Sequence, residues 1–301
     1  MKDIISIFRP KRWYQNIIVI AGAILAAELL NLDIANYYRS IAYAFAAVCL
    51  VASGNYGINE VLDAESDSHH PEKQHRAVAS GRISKSTATI LSIALYITGF
   101  AIILNLDNWR AGLVLFLFFL GAVLYNVSPF RFKDRPYLDF IFEAVNSPLR
   151  ILLGWYVVAD KIFPSSFIIA VWFLGIFLMA AKRFGDIRLI KDKVELASYR
   201  KSQRYYTEER LLIAMIASLS VFYYMLGALC MKYSIDLIVT LPFIVLWTAW
   251  FFKLAYEENT VIKDPERIFE KIPFTLFSLF TFGIFLYLFL TKSQALWFLK
   301  N

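Results

Sequence analysis

Residues 111–127 read Ala111-Gly-Leu-Val-Leu-Phe-Leu-Phe-Phe-Leu-Gly-Ala-Val-Leu-Tyr-Asn-Val127. The run carries no charge, and its apolar character does not alternate along the chain. A backbone facing lipid must satisfy its own hydrogen bonds, and a segment of this kind does so as a helix. Barrel strands would be shorter and would alternate in polarity. The same pattern recurs along the chain, and nine spans are expected, at about Trp13–Asn31, Ser40–Ile58, Ala88–Leu106, Ala111–Val127, Leu138–Val158, Ser165–Phe184, Leu211–Met231, Ile235–Phe252 and Phe274–Leu290. Several barely reach the roughly 20 residues of a bilayer crossing, which a bundle of mutually shielding helices tolerates.

Composition points the same way. Of 301 residues 59% are hydrophobic, 17% aromatic and 18% charged, against roughly 25% charged in an average soluble domain. These proportions exclude a disordered chain, a coiled coil and a disulfide scaffold, and a water-soluble domain would need a polar skin that is missing here. Cys49 and Cys230 fall inside apolar runs and read as packing residues. The first run lacks a small-residue cleavage site and reads as a retained span. The expected fold is all-α: a polytopic membrane bundle, one domain over 1–301.

The basic residues set the topology. With the N-terminus inside, the inner segments hold four (Lys2, Arg9, Lys11, Arg12), four (Lys73, Arg76, Arg82, Lys85), three (Arg131, Lys133, Arg135), nine (Lys182 to Arg210) and four (Lys253, Lys263, Arg267, Lys271). The outer segments hold only Arg39, Arg110, Lys161, Lys232, Lys292 and Lys300, and Arg150 falls inside a span. Such an excess is the positive-inside bias. It accounts for the net charge of +7 without nucleic acid, and gives a cytoplasmic N-terminus and an external C-terminus. The long inner loops, about 59–87 and 185–210, are where chemistry has room.

The second span closes on Asn55-Tyr-Gly-Ile-Asn59-Glu60-Val-Leu-Asp63-Ala-Glu-Ser-Asp67. Asn59, Asp63 and Asp67 are spaced i, i+4, i+8, one face of a helix over about 12 Å. Glu60 and Asn55 lie near that stripe. Aligned oxygen donors at a membrane boundary are costly without a compensating cation. Hard oxygen ligands suit Mg²⁺, which keeps waters and bridges to phosphates. The alternative is a solvated helix end with ordinary carboxylates. It is weakened by the next segment, His69-His70-Pro71-Glu72-Lys73-Gln74-His75-Arg76-Ala-Val-Ala-Ser-Gly81-Arg82, because cations following an acidic row within one loop suit a metal plus a phosphate. A zinc site at these histidines is disfavoured, since no Cys is near.

At these residues the chain resembles the UbiA superfamily of intramembrane prenyltransferases. The superfamily's Asn-Asp-x-x-Asp-x-x-x-Asp motif reads here Asn59-Glu60-Val-Leu-Asp63-Ala-Glu-Ser-Asp67, with Glu for Asp at the second position. Within the superfamily the likeness is to the decaprenyl-phosphate phosphoribosyltransferases. It is carried by Arg9-Pro10-Lys11-Arg12-Trp13-Tyr14-Gln15-Asn16, by the loop from Asp67 to Gly81, by Leu149-Arg150 and by Lys182-Arg183-Phe184. Tyr199-Arg200-Lys-Ser202 continues the last of these. The second acidic motif departs: Asp186 remains, but Ile190 stands four residues on. Fewer carboxylates and more cations suit a donor that carries a phosphate besides its diphosphate.

The resemblance implies nine transmembrane helices, Mg²⁺-dependent chemistry and a site facing the cytoplasm of a bacterial-type inner (cytoplasmic) membrane. It implies a transferase moving phosphoribose from phosphoribosyl diphosphate to a polyprenyl phosphate, in cell envelope biosynthesis. The metal ligands would be Asn59, Glu60, Asp63, Asp67 and Asp186. Substrate would be held by Lys11, Asn55, Lys73, Arg76, Tyr125, Arg150, Lys182 and Arg183, with Asp63, Asp67, Arg150 and Lys182 closest to the chemistry. The alternatives are an aromatic prenyltransferase with a polyprenyl diphosphate donor, and a transporter or lipid-binding protein. The transporter is disfavoured because no repeat is evident and the ionisable residues gather at inner ends. Partners are the two substrates and membrane lipid, and an oligomer is compatible with the sequence.

Single residues carry narrower expectations. A guanidinium inside a span needs a partner, so Arg150 should meet Asp139, Glu143 or a phosphate. Tyr125-Asn126-Val-Ser128-Pro129 either orients a phosphate or ends a helix. Arg131, Lys133 and Asp139 show no preference between site and surface. Lys11 and Trp13 reach the pocket or anchor the interface.

Overall fold

Large apolar side chains line the outside of this molecule. In the computed structural model, which describes residues 2–68, 73–106, 108–190, 201–257, 268 and 270–291, Ile97, Leu104 and Ile216 are 65%, 72% and 65% exposed. That surface is costly in water and unremarkable in hydrocarbon. Eight helical stretches among the described residues are long and apolar enough to cross a bilayer: 2–30, 34–68, 85–104, 109–126, 165–189, 208–233, 235–256 and 272–291. No strand occurs among the described residues. His69, His70, Pro71, Glu72, Lys191, Lys193, Tyr199 and Arg200 lie outside them.

The chain divides into two compact units, Met1–Phe163 and Pro164–Asn301. In the first, α1 (Lys2–Phe8) leads through a 3₁₀ turn (Pro10–Ile17) into α2 (Ile18–Leu30), followed by α3 (Tyr38–Ser68), α4 (Lys85–Leu104) and α5 (Trp109–Asn126). The expected span Leu138–Val158 is built as two shorter helices, α6 (Leu138–Ala144) and α7 (Asn146–Tyr156). Pro148 is the physical reason: it has no N–H to offer the residue 144 carbonyl, and its ring crowds that carbonyl.

Helix α3 has 31 residues, about 46 Å, well beyond a hydrocarbon core of about 30 Å. Its last turns, Asn59 to Ser68, therefore project past the apolar stretch that ends at Ile58. The inner loop expected from 59 starts only after Ser68, because no Gly or Pro interrupts 59–68.

The N-terminal segment runs antiparallel along α3. Asn16 Nδ2 donates to Cys49 Sγ (3.2 Å), Trp13 Nε1 donates to Ser53 Oγ (3.0 Å), and Arg9 and Arg12 both lie over the Tyr56 ring (5.2 and 5.6 Å). Trp13 thus anchors to α3. Helices α2 and α7 touch backbone to backbone: a Cβ on Gly22 would overlap the Ile151 carbonyl, and one on Gly154 the Val19 carbonyl. Small residues at the seam are the general device for close helix packing in lipid.

The second unit holds α8 (Ser165–Leu189), a 3₁₀ turn (Lys201–Tyr205), α9 (Glu208–Tyr233), a 3₁₀ turn (Ile235–Thr240), α10 (Leu241–Tyr256) and α11 (Ile272–Thr291). Helix α8 continues past Phe184, so the loop expected from 185 also starts later. Thr207 caps α9 by accepting from Arg210 N, with Glu208 and Glu209 in the first turn. Packing here runs through rings: Trp247 stacks on Phe251 (5.6 Å), Phe274 lies against Trp247 and Phe251 (5.7 and 6.2 Å), and Phe177 meets Phe251 (5.8 Å). Cys49 and Cys230 are free and buried.

Candidate active site at the charged helix ends

The i, i+4 spacing places Asn59 and Asp63 on one face of α3, and both converge on one cation. Lys133 Nζ stands 2.7 Å from each Asp63 carboxylate oxygen, 3.0 Å from Asn59 Oδ1 and 3.1 Å from Asn126 Oδ1. Lys133 is only 7% exposed. It reaches the row from the loop after α5, whose path is set by Arg131 at φ 34, a left-handed conformation rare for a side chain of this size. Arg131 bridges Asp63 (2.8 Å) and Asp134 (2.8 Å) and donates to the Asn126 carbonyl (3.2 Å).

These contacts set the charge states. Burial would push the Asp63 carboxyl up, but the Lys133 ammonium and then Arg131 outweigh it and hold the group below the usual carboxylate range. Burial pulls the Arg131 guanidinium down, and hydrogen bonds and charge from Asp134 and Asp63 bring it above its ordinary value.

The other expected ligands are engaged elsewhere. Asp67, one turn further on the same face, is paired with Arg76 at 2.6 Å. Glu60 is rotated off the row by the 100° per residue of a helix. It is 3% exposed and accepts from Val78 N (3.2 Å), holding the turn before α4. That turn closes at Gly81, φ 76, a conformation open to glycine without strain. Asn55 accepts from Tyr96 (2.9 Å), and Tyr125 donates to Glu143 (3.1 Å). Lys11 is exposed and Lys73 half-buried.

The structure does not place Arg150 beside the row. Its Nε donates to Asn16 Oδ1 (2.6 Å), and its guanidinium lies over the Phe118 ring (5.1 Å). Asn16 in turn meets Cys49, which is about 15 Å along α3 from Asn59 at 1.5 Å per residue. Neither Asp139 nor Glu143 is its partner, and no carboxylate among the described residues pairs with it. An amide and a ring face share the guanidinium instead.

In the second unit Asp186 accepts from Gln203 Nε2 (2.7 Å) and lies 3.9 Å from Arg183, which is 1% exposed; Lys182 is half-buried. Arg188 pairs with Glu208 (3.0 Å) and lies 3.8 Å over the Tyr256 ring. Gln203 Oε1 and Arg188 Nε are buried with no partner among the described residues.

Sequence spacing gives Lys133 no preference between site and surface, offers Asn126 only within a stretch that orients a phosphate or ends a helix, and gives no signal for Gln203. Lys133 is 70 positions from Asp63, and no local spacing joins them. Among the described residues no three His, Cys, Asp or Glu side chains gather as a ready metal cage. Asn59, Asp63 and Asn126 nevertheless present hard oxygens that already surround a cationic centre, the donor chemistry a magnesium ion takes. Those three fit such an ion; Glu60 already gives one carboxylate oxygen to a backbone N–H.

The UbiA prenyltransferase family model matches residues 16–279. The chain is 27% identical over 216 residues to the decaprenyl-phosphate phosphoribosyltransferase of Mycolicibacterium smegmatis, covering 70% of this chain and 64% of that one. It is 28% identical over 204 residues to the enzyme of that name from Corynebacterium glutamicum, covering 67% and 59%. It thus spans a little under two thirds of the length of these relatives. The structure of a UbiA homolog from Archaeoglobus fulgidus bound to GPP and Mg²⁺ superposes with a TM-score of 0.71 at 16% identity, over 94% of this chain and 99% of that one.

Proposed function

The chain belongs to the UbiA prenyltransferase family, and from that membership we propose that it transfers a 5-phosphoribosyl group from phosphoribosyl diphosphate to a polyprenyl phosphate. The observation that carries the proposal is the convergence of Asn59 and Asp63 on one cationic centre at the inner end of α3. The named relatives favour the phosphoribosyl donor, and the cation-rich second motif agrees with it.

Asn59 and Asp63, with Asn126 beside them, would hold Mg²⁺, and Asp67 and Asp186 remain candidates by motif. The ion when bound would neutralise charge on the diphosphate. The C1–oxygen bond of the ribose breaks, and diphosphate leaves with the bonding pair. An oxygen of the prenyl phosphate forms the new bond to C1 from the opposite face. It is already ionised, so no strong general base is required. Lys11, Lys73, Arg76, Lys182 and Arg183 are candidate phosphate ligands. Arg150, lacking a carboxylate partner, would take a phosphate remote from the metal, on the ribose or on the lipid. The positive-inside bias supports a site facing the cytoplasm of a bacterial-type inner membrane.

The second reading is an aromatic prenyltransferase using a polyprenyl diphosphate donor, favoured by the retained acidic row. Detergent-purified protein incubated with Mg²⁺ and labelled phosphoribosyl diphosphate, with and without polyprenyl phosphate, separates the two. Lipid-linked ribose phosphate is expected only in the complete mixture. Its absence, with prenyl transfer to a phenolic acceptor instead, selects the second reading.

A further inference from the structure

We propose that the Lys133 ammonium is a built-in counter-cation occupying the seat of the divalent metal, so that the chain takes up metal only together with a diphosphate. This rests on the metal-binding part of the reading above, and on neither the sugar nor the lipid. The ammonium has three protons, yet four oxygens from three side chains stand within 3.1 Å of it, both Asp63 oxygens at 2.7 Å. Equal approach to the two oxygens of one carboxylate is how a cation sits on a bidentate ligand. The residue is buried, so it is not a surface lysine resting on a convenient acid.

Charge makes the seat exclusive. Asp63 and Asp134 face Lys133 and Arg131 in one connected cluster, so two cations already stand at the seat. A divalent cation added beside those two would face their repulsion in a poorly solvated place, which is costly. Metal therefore enters as Lys133 leaves. The departing ammonium needs an anion of its own, and Asp134 is already shared with Arg131. A diphosphate arriving with the metal supplies that anion and reverses the sign of the incoming charge.

The test uses the full chain in detergent, Mn²⁺ as the probe and the electron paramagnetic resonance of free Mn²⁺ as the readout. Wild-type protein should bind Mn²⁺ weakly alone and at least about tenfold more tightly with inorganic pyrophosphate present, after subtraction of the protein-free chelate. Lys133→Met should bind Mn²⁺ alone at least about tenfold more tightly than wild type. Adding Asp63→Asn to it should erase the gain. Tight binding of Mn²⁺ by wild type without any phosphate overturns the proposal, and that measurement needs no variant to fold. Equal affinities of wild type and a folded Lys133→Met, or of Lys133→Gln if that is the one that folds, overturn it too. Because no phosphoribosyl donor is used, failure of the transfer assay and failure of this one are separate results.

Discussion

The two units of the chain are both helical and both apolar, but they are held together differently. In the first, α2 and α7 meet at Gly22 and Gly154, and a Cβ added to Gly99 of α4 would stand 3.0 Å from the Ala47 carbonyl of α3. In the second, a Cβ added to Gly227 or Gly283 would meet nothing within 4 Å, as at Gly121 of the first, and Trp247, Phe251 and Phe274 form a ring contact. The polar groups follow the same division. Asp63, Asp67 and Glu60 are all partnered in the first unit. All the buried side-chain atoms without a partner among the described residues, Arg188 Nε, Gln203 Oε1 and Thr281 Oγ1, are in the second. Backbone contact leaves little freedom to slide, and it is the unit so fixed that carries a fully satisfied charged cluster. Rings tolerate adjustment, and the unit built on them leaves polar atoms unsatisfied.

The largest expected effect breaks this contrast directly. Gly154→Leu would drive a side chain into the Val19 carbonyl and should abolish recovery of monodisperse protein by size exclusion in detergent. Gly227→Leu, where an added Cβ would meet nothing within 4 Å, should be recovered normally. Equal loss in both would mean that the second unit is as tightly seamed as the first.

Next in size is Asp63→Asn. Removing one preorganised electrostatic contact costs on the order of 10²–10³-fold in rate, and this substitution should lower the proposed phosphoribosyl transfer by that much. Asp186→Asn should lose about tenfold less, because its short contact is the neutral Gln203 amide and a neutral pair can rearrange more cheaply than a charged one. Initial rates at saturating donor compare them. Equal losses would place the two acidic motifs on the same footing and remove the functional half of the contrast.

What the sequence discloses is what lies close along the chain. The spans are legible because a helix in lipid needs about 20 apolar residues in a row. The row of Asn59, Asp63 and Asp67 is legible because helical spacing is local. Pro148 was equally visible, yet a continuous apolar run hid the break it makes. The partners were not legible. Arg150 finds Asn16 across 134 positions, and Asp63 finds Lys133 across 70. Both pairings depend on where whole helices pack, which no spacing rule reports. The glycine seam was hidden for the same reason, since Gly22 and Gly154 look like any other small residues in apolar runs.

The smallest effects sharpen the contrast through single hydroxyls. Ser53 Oγ accepts from Trp13 Nε1, so Ser53→Ala leaves an indole N–H without its acceptor and removes one of the ties between the N-terminal segment and α3. A hydrogen bond of this kind contributes about 1 kcal/mol net, and the variant should unfold at a lower temperature in detergent by that amount. Thr281 Oγ1 is buried without a partner among the described residues, so Thr281→Val removes an unsatisfied group and keeps the shape. Relief of about 1 kcal/mol or slightly more is expected, with a higher unfolding temperature. The two variants delete the same functional group from buried helical positions, 2% and 7% exposed, and should move stability in opposite directions. A common sign would show that the difference in polar satisfaction between the units has no energetic content, whereas opposite signs would locate the spare stability of the protein in its second half.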